Sequence, residues 1–199
     1  YYPDAEIIGV DTSKLLVEHG RARAKTTKRD NLTFMQFDAL KGHLDVPGKG
    51  SYDLVNLRFA VAWARGLDQW TTLLNRCHKL NCIGGYTVVT EGEGLYTSSL
   101  ALRRLYEIII QALGRGGYGL FPSEHDTGIA AHLGALFTLS GFSEISVDGG
   151  AIDFSFYNQE ANMAWRKSFQ ALIPESGVFF LKMEVTTAEE LAELSVRVG

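Results

Sequence analysis

Four short apolar runs alternate with stretches of helical character over the first 90 residues, and this alternation constrains the fold more than any other feature. The runs cover 6–10, 31–37, 52–57 and 86–90. Each has the length and residue types of a buried strand. Strands that are connected through helices form mostly parallel sheets with helices on both faces. The sequence therefore predicts an α/β fold with a doubly wound sheet.

The helices between these strands have clear local signals. Asp11-Thr12-Ser13 offers N-cap side chains for a helix that reaches about residue 28. A second helix precedes the fourth strand, and its apolar side chains recur at the spacing of one helix face: Trp70, Leu73, Leu74, Cys77 and Leu80. That stripe is typical of a helix packed against a sheet.

The second half of the chain is predicted to differ. Helices are expected over 98–113 and 124–140, strands over 142–148 and 151–157, and further helices over 159–172 and 187–196. Gly149-Gly150 separates the two strands and predicts an antiparallel hairpin. The predicted organisation is a core over 1–157, which includes a helical lid at about 95–140, and a C-terminal helical extension over 158–199.

Composition excludes several classes of protein. The net charge of -4 argues against a nucleic-acid binder, which normally has a basic surface. No run of 18 apolar residues occurs, so no membrane span is expected, and the first six residues do not resemble a signal peptide. Two cysteines are too few for a disulfide framework, which favours a reducing compartment such as the cytoplasm.

Polar residues follow three of the predicted strands. Asp11 follows the first, Asp38 the second and Arg58 the third. In an open α/β sheet, ligands bind outside the carboxyl ends of the strands. A carboxylate there can accept hydrogen bonds from both hydroxyls of a ribose, or from an adenine amino group. An acid at a strand end can equally be a helix cap, and Asp11 fits that role too.

The series of motifs resembles class I S-adenosylmethionine-dependent methyltransferases of the small-molecule type. Residues 3–13 look like the family's second strand, 34–39 like its next motif, 52–55 like its fourth strand, and 73–86 like its following helix, turn and fifth strand. The turn keeps Gly84-Gly85 but departs from the usual Lys-Pro-Gly-Gly. The resemblance implies a Rossmann-like methyltransferase sheet closed by the C-terminal hairpin.

The same resemblance implies S-adenosylmethionine as the cofactor and a small organic molecule as the methyl acceptor. Asp11 would hold the ribose, Asp38 and Ala39 the adenine, and Arg58 with its neighbours the methionine end. The predicted cofactor-binding residues are thus Asp11, Thr12, Ser13, Asp38, Ala39 and Arg58.

The family's first strand and its Gly-x-Gly-x-Gly loop would precede residue 3, and neither occurs in the sequence. They are expected to belong to a longer chain, to come from a separate chain, or to be replaced by pairing with another copy. A different segment filling the gap is a further alternative. Without a strand at that place, two neighbouring strands would expose unpaired backbone groups.

Fewer sequence features indicate which residues would bind the methyl acceptor. Glu91, Glu93 and Tyr96 follow the fourth strand. Glu91 and Glu93 could bind a substrate amine or hydroxyl, and Glu93 and Tyr96 are the predicted substrate-binding residues. His125 is a candidate for substrate binding and for a general base, because a histidine titrates near neutral pH. A surface capping cluster is the alternative for His125, and a solvated loop is the alternative for Glu91 and Glu93.

Other interpretations stay open. Cys77, His78 and Cys82 suggest a metal site only superficially, since Cys77 belongs to an apolar stripe, and no metal is predicted. The chain could be a non-catalytic or partner-dependent subunit. It could also be an NAD-type dinucleotide-binding protein, because an acid in the position of Asp11 serves both classes.

Overall fold

The computed structural model describes residues 3–41, 50–121 and 123–198. The chain consists of two compact units, Tyr1–Pro47 and Gly48–Gly199. Each has its own small parallel sheet, so the molecule is a mixed α/β protein as predicted. The prediction of a core over 1–157 and an extension over 158–199 stays a prediction.

The first unit is one strand–helix–strand motif. Strand β1 (Ile7–Asp11) leads through helix α1 (Lys14–Thr26) to strand β2 (Leu32–Gln36), and the two strands pair in parallel. Ser13 caps α1 by accepting a hydrogen bond from the backbone N–H of Leu16 at 3.4 Å. The predicted N-cap is therefore confirmed.

Two glycines let α1 lie close to the strands of this unit. A Cβ atom at Gly9 in β1, or at Gly20 in α1, would lie 2.7 Å from the ring of Phe34 in β2. Such a distance is well inside van der Waals contact. The Phe34 ring thus fills the space that the two missing side chains leave.

The second unit begins with the same motif. Strand β3 (Tyr52–Arg58) leads through helix α2 (Gly66–Leu80) to strand β4 (Asn81–Thr90), again in parallel pairing. The apolar stripe predicted for α2 is confirmed, because four of its residues are buried: Trp70, Leu73, Leu74 and Cys77. Within the described residues, each of the two sheets has only two strands.

The rest of the second unit is helical. Helices α3 (Leu100–Arg115), α5 (Gln159–Lys182) and α6 (Ala188–Arg197) bury one apolar cluster between them. Its most deeply buried members are Leu105, Ile108, Ala112 and Phe180. The core therefore joins a helix of the predicted lid to both helices of the predicted extension. None of the described helices is long and apolar enough to span a lipid bilayer.

Helix α5 runs ten residues beyond its predicted end at 172. It continues through Pro174 to Lys182. A proline removes one helical hydrogen bond and normally marks a boundary. Here Ile173 and Phe180, on either side of it, are both buried in the helical core, and that packing keeps the chain helical.

The helix predicted over 124–140 is wrong in its first half. Only Leu133–Leu139 forms a helix, α4, preceded by a short 3-10 turn at Ala130–His132. The residues before it are held as a loop, because Leu120 donates to the carbonyl of Thr127 at 2.9 Å and Gly128 has a positive φ of 65°. His125 therefore lies in a loop rather than at a helix start.

The hairpin predicted over 142–157 is also wrong, since this segment contains no strand. Its alternating apolar residues are largely exposed: Val147 (64%), Ile152 (74%) and Phe156 (77%). Phe154 instead stacks on Trp165 of α5 with the ring centroids 4.2 Å apart. A two-stranded hairpin is marginal without a third strand or a packed face. No third strand lies beside this segment in the described chain, and most of its residues are exposed.

Candidate functional site

The two strands of the first unit end at one edge of their sheet. Asp11 pairs with Gln36, the last residue of β2, and its carbonyl accepts a hydrogen bond from the N–H of Phe37 at 2.9 Å. The Gln36 side chain also donates to the carbonyl of Thr12 at 2.9 Å. Asp38 follows two residues after β2 ends. Both predicted acids therefore belong to the same carboxyl edge.

Asp11 uses one of its two carboxylate oxygens in a hydrogen bond within the described chain. Its Oδ1 accepts from the N–H of Ser13 at 2.7 Å, which is the local turn that precedes α1. Its Oδ2 makes no hydrogen bond to the part of the chain that the structure describes. Thr12 is exposed and Ser13 is half-buried beside it. A carboxylate with one oxygen available fits a ribose hydroxyl.

Asp38 is held by its own loop. Its Oδ1 accepts from the N–H of Leu40 at 3.0 Å, and its Oδ2 lies 3.2 Å from the Lys41 ammonium. Burial opposes the charged form, but these hydrogen bonds and the Lys41 charge outweigh it and lower the pKa of Asp38. The Lys41 side chain is largely exposed, so this ion pair is weak and can open for a ligand. Ala39 is half-buried between the two bonds.

Arg58 ends β3 in the second unit, opposite Thr90 of β4. Its guanidinium carbon lies 5.7 Å from the ring centroid of Phe59, a cation–π distance. Phe59 has left-handed backbone angles, φ 51° and ψ 39°, which are unfavourable for a residue with a side chain. Half of its side chain is exposed. Strain of this kind persists only where neighbouring bonds enforce it.

Glu91 supplies those bonds from the residue just after β4. Its Oε1 accepts from the N–H of Ala60 at 2.6 Å and its Oε2 from the N–H of Val61 at 3.4 Å. Burial raises the pKa of Glu91 to about 7; the two N–H bonds lower it in part, and the charge of Glu93 raises it further. From the sequence, Glu91 was a candidate to bind a substrate amine or hydroxyl, with a solvated loop as the alternative. Its long-range bonds have no local signal.

Glu93 forms hydrogen bonds with the loop that precedes α4. Its carboxylate accepts from the Thr127 hydroxyl at 2.5 Å and from the N–H groups of Ile129 and Ala130 at 3.0 and 3.2 Å. The next residue, Gly94, donates to the Tyr106 hydroxyl at 2.7 Å. Both oxygens of Glu93 thus hold the chain together. Its role in substrate binding stays a prediction.

Tyr96 and His125 are both exposed. Tyr96 is fully exposed beyond β4, and the backbone N–H of His125 donates to the Ser123 hydroxyl at 3.1 Å. No hydrogen bond or ring contact within the described residues joins Tyr96, His125 and Glu93. Nor does any group of three His, Cys, Asp or Glu side chains there form a possible metal site.

Comparison with known proteins supports the fold class. No protein-family model and no curated protein matches the chain. The chain is similar to the solved structure of the YcgJ protein from Bacillus subtilis, at 15% identity and a TM-score of 0.48, over 83% of this chain and 66% of that one. It is also similar to the MccD protein, at 15% identity and a TM-score of 0.50, over 97% of this chain and 73% of that one.

The two likenesses differ in weight. At a TM-score below 0.5 the likeness to YcgJ adds nothing to the fold assignment. The likeness to MccD covers almost the whole chain and supports a Rossmann-like α/β fold. At 15% identity it carries the fold alone.

Proposed function

We propose that this protein binds S-adenosylmethionine and transfers its methyl group to a small organic acceptor. The observation that carries the proposal is the common edge of β1 and β2, to which both Asp11 and Asp38 belong. Acids at adjacent strand ends are suited to a ribose and to an adenine amino group. The methyltransferase-like fold supports the same reading.

The side chains at this edge fit an adenosine. The Oδ2 atom of Asp11 is available to accept from a ribose hydroxyl, and Thr12 and Ser13 flank it. Asp38 would accept from the adenine amino group once Lys41 moves away, with Ala39 beside the ring. Arg58 lies in the second unit, and its guanidinium offers paired donors of the kind that bind a carboxylate.

The acceptor would be bound by residues of the second unit. When bound, the cofactor supplies a methyl group that its sulfonium already activates. The protein's main task is therefore to position the acceptor and to exclude water. Glu93, Tyr96 and His125 are the proposed substrate contacts, and His125 is the proposed proton acceptor if a hydroxyl is methylated.

Calorimetry on the full-length protein tests the proposal. We expect S-adenosylhomocysteine to bind and NAD not to bind. Losing one charge-assisted hydrogen bond costs about 1.5–3 kcal/mol, so Asp11→Asn should weaken binding by about tenfold or more. Asp30→Asn is the matched control, because Asp30 is an exposed aspartate in the turn before β2. Binding of NAD without S-adenosylhomocysteine would instead support a dinucleotide-binding protein.

A partner-dependent form of this function is the second candidate, and the sheets favour it. β1 pairs only with β2 and β3 only with β4 within the described residues. Unpaired strand edges are ready to accept a further strand. We infer that such a strand comes from another part of the protein, from a separate chain or from a second copy. Light scattering across a dilution series distinguishes these sources, since a monomer that binds the cofactor needs no partner.

The two cysteines support a proposal about the compartment. Cys77 and Cys82 are both free, as a reducing compartment such as the cytoplasm favours. We therefore propose a cytoplasmic enzyme of small-molecule metabolism.

A further inference from the structure

The turn between β1 and α1 contains three successive backbone carbonyls with different partners. The carbonyl of Asp11 accepts from the N–H of Phe37 at 2.9 Å, and that of Ser13 accepts the first helical bond of α1 at 3.1 Å. The Thr12 carbonyl lies between them and accepts from no backbone N–H of the described residues. Its donor is the side-chain amide of Gln36, at 2.9 Å.

This bond joins the end of one strand to the turn after the other. Gln36 is the last residue of β2 and lies directly opposite Asp11 in the register of the two strands. Side chains alternate between the faces of a sheet, so opposed residues share a face. The Gln36 side chain therefore reaches across the end of β1. A carbonyl oxygen can only accept, so the amide nitrogen of Gln36 must face Thr12.

The Thr12 carbonyl and the Ser13 N–H belong to one peptide group. That group is planar, so a bond that fixes the direction of its carbonyl also fixes the direction of its N–H. The Ser13 N–H donates to Oδ1 of Asp11 at 2.7 Å. Gln36 and the Asp11 carboxylate thus bind opposite ends of the same peptide group. The orientation of the carboxylate, and of its Oδ2 atom, therefore depends on Gln36.

We propose that Gln36 is a positioning residue, which orients the Asp11 carboxylate toward a ribose hydroxyl by fixing the Thr12–Ser13 peptide. This inference rests on the proposed function. It adds that recognition of the ribose depends on a neutral amide from the neighbouring strand, which does not itself touch the ligand. All the groups in this chain of contacts belong to the first unit.

A double-mutant cycle separates positioning from a general effect on the fold. Calorimetry on the full-length protein measures the binding of S-adenosylhomocysteine. Gln36→Met keeps the length of the side chain but has no donor, and we expect it to weaken binding by about threefold or more. In the background of Asp11→Ala the same substitution should have no effect, because no carboxylate is left to orient.

Asn31→Leu is the matched control. The Asn31 amide donates to the carbonyl of Ala5 at 2.7 Å, so it makes the same kind of bond at the opposite end of β1. Its loss should leave the binding of S-adenosylhomocysteine unchanged. Gln36→Ser has a side chain too short for the bond, should act as Gln36→Met does, and serves if that variant does not fold.

Three results would overturn the positioning role while the native protein still binds S-adenosylhomocysteine. The first is unchanged binding in both Gln36 variants. The second is equal weakening by Gln36→Met with and without the Asp11 carboxylate, and the third is equal weakening by Asn31→Leu. If the native protein does not bind S-adenosylhomocysteine, the proposed function fails, and the inference fails with it.

Discussion

Replacing Glu91 with glutamine should change how the stability of the second unit depends on pH. Burial raises the pKa of Glu91 from an ordinary 4.5 to about 7, against the opposing bonds from Ala60 and Val61. A group whose pKa is higher in the folded state binds its proton more tightly there. Its contribution to stability is fully present below about pH 4.5 and is lost as the pH rises through about 7. Glutamine does not titrate, so the variant has no such loss.

The size of the effect follows from the pKa shift. A tenfold change in proton affinity is worth about 1.4 kcal/mol, so a fully buried carboxyl group with this shift would contribute about 3 kcal/mol. Glu91 keeps some contact with solvent, which screens the effect, and we expect about 1–2 kcal/mol. The free energy of unfolding of the native protein, minus that of Glu91→Gln, should therefore fall by about 1–2 kcal/mol between about pH 5 and pH 8.

Urea unfolding followed by tryptophan fluorescence measures this difference. All three tryptophans lie in the second unit, at Trp63, Trp70 and Trp165, so the signal reports the unit that contains Glu91. Glu190→Gln is the control of opposite sign. The hydrogen bond from Arg104 lowers the pKa of Glu190, so its contribution is present throughout this pH range and is lost only in more acid solution.

The difference between the native protein and Glu190→Gln should accordingly stay constant over the same range. A difference for Glu91→Gln that also stays constant would refute the reasoning. It would mean that folding does not change the proton affinity of Glu91.

Two further substitutions test the packing of α1 on β2 and the bonds of Glu93. Gly20→Ala would place a Cβ 2.7 Å from the Phe34 ring. Overpacking costs about 1–3 kcal/mol and the better helix propensity of alanine offsets part of that, so urea unfolding followed by circular dichroism should show a net loss of about 1 kcal/mol, and unchanged stability would contradict the close approach. Glu93→Gln removes an acceptor from three donors, so hydrogen exchange at the amides of Ile129 and Ala130 should quicken, whereas equal protection in both proteins would show that Glu93 does not hold this loop.

The parts of the fold that local pattern determines were predictable from the sequence. The first four strands and the helices between them follow from apolar runs and from the stripe of α2, because each element buries one side against its neighbour in sequence. Thr187 stands at the start of the helix predicted over 187–196, and its hydroxyl caps α6 by accepting from the N–H of Glu190 at 3.2 Å. Each of these signals lies within a few residues, so it does not depend on contacts with distant parts of the chain.

Other parts depend on contacts between distant residues, and no local pattern reports them. Pro174 indicates a helix end, but burial of Phe180 in the helical core carries α5 past it. The alternation over 142–157 indicates two strands, but a strand also needs a partner, which the pattern cannot supply. Glu91 and Glu93 bind segments at least 30 residues away, and no local pattern indicates those hydrogen bonds.

A carboxylate that follows a strand can bind other parts of the chain or bind a ligand. The four acids differ in how many of their carboxylate oxygens already have partners within the described chain. One oxygen of Asp11 accepts a hydrogen bond within its own turn and the other accepts none from the described chain. The second oxygen of Asp38 is in an exposed and easily broken ion pair with Lys41. In Glu91 and Glu93, both carboxylate oxygens accept hydrogen bonds from backbone N–H groups or from a buried hydroxyl. A ligand that took either glutamate would leave buried donors unsatisfied, at about 1–3 kcal/mol each. The proposed cofactor contacts of Asp11 and Asp38 would therefore disturb fewer bonds of the fold than a ligand contact of Glu91 or Glu93 would.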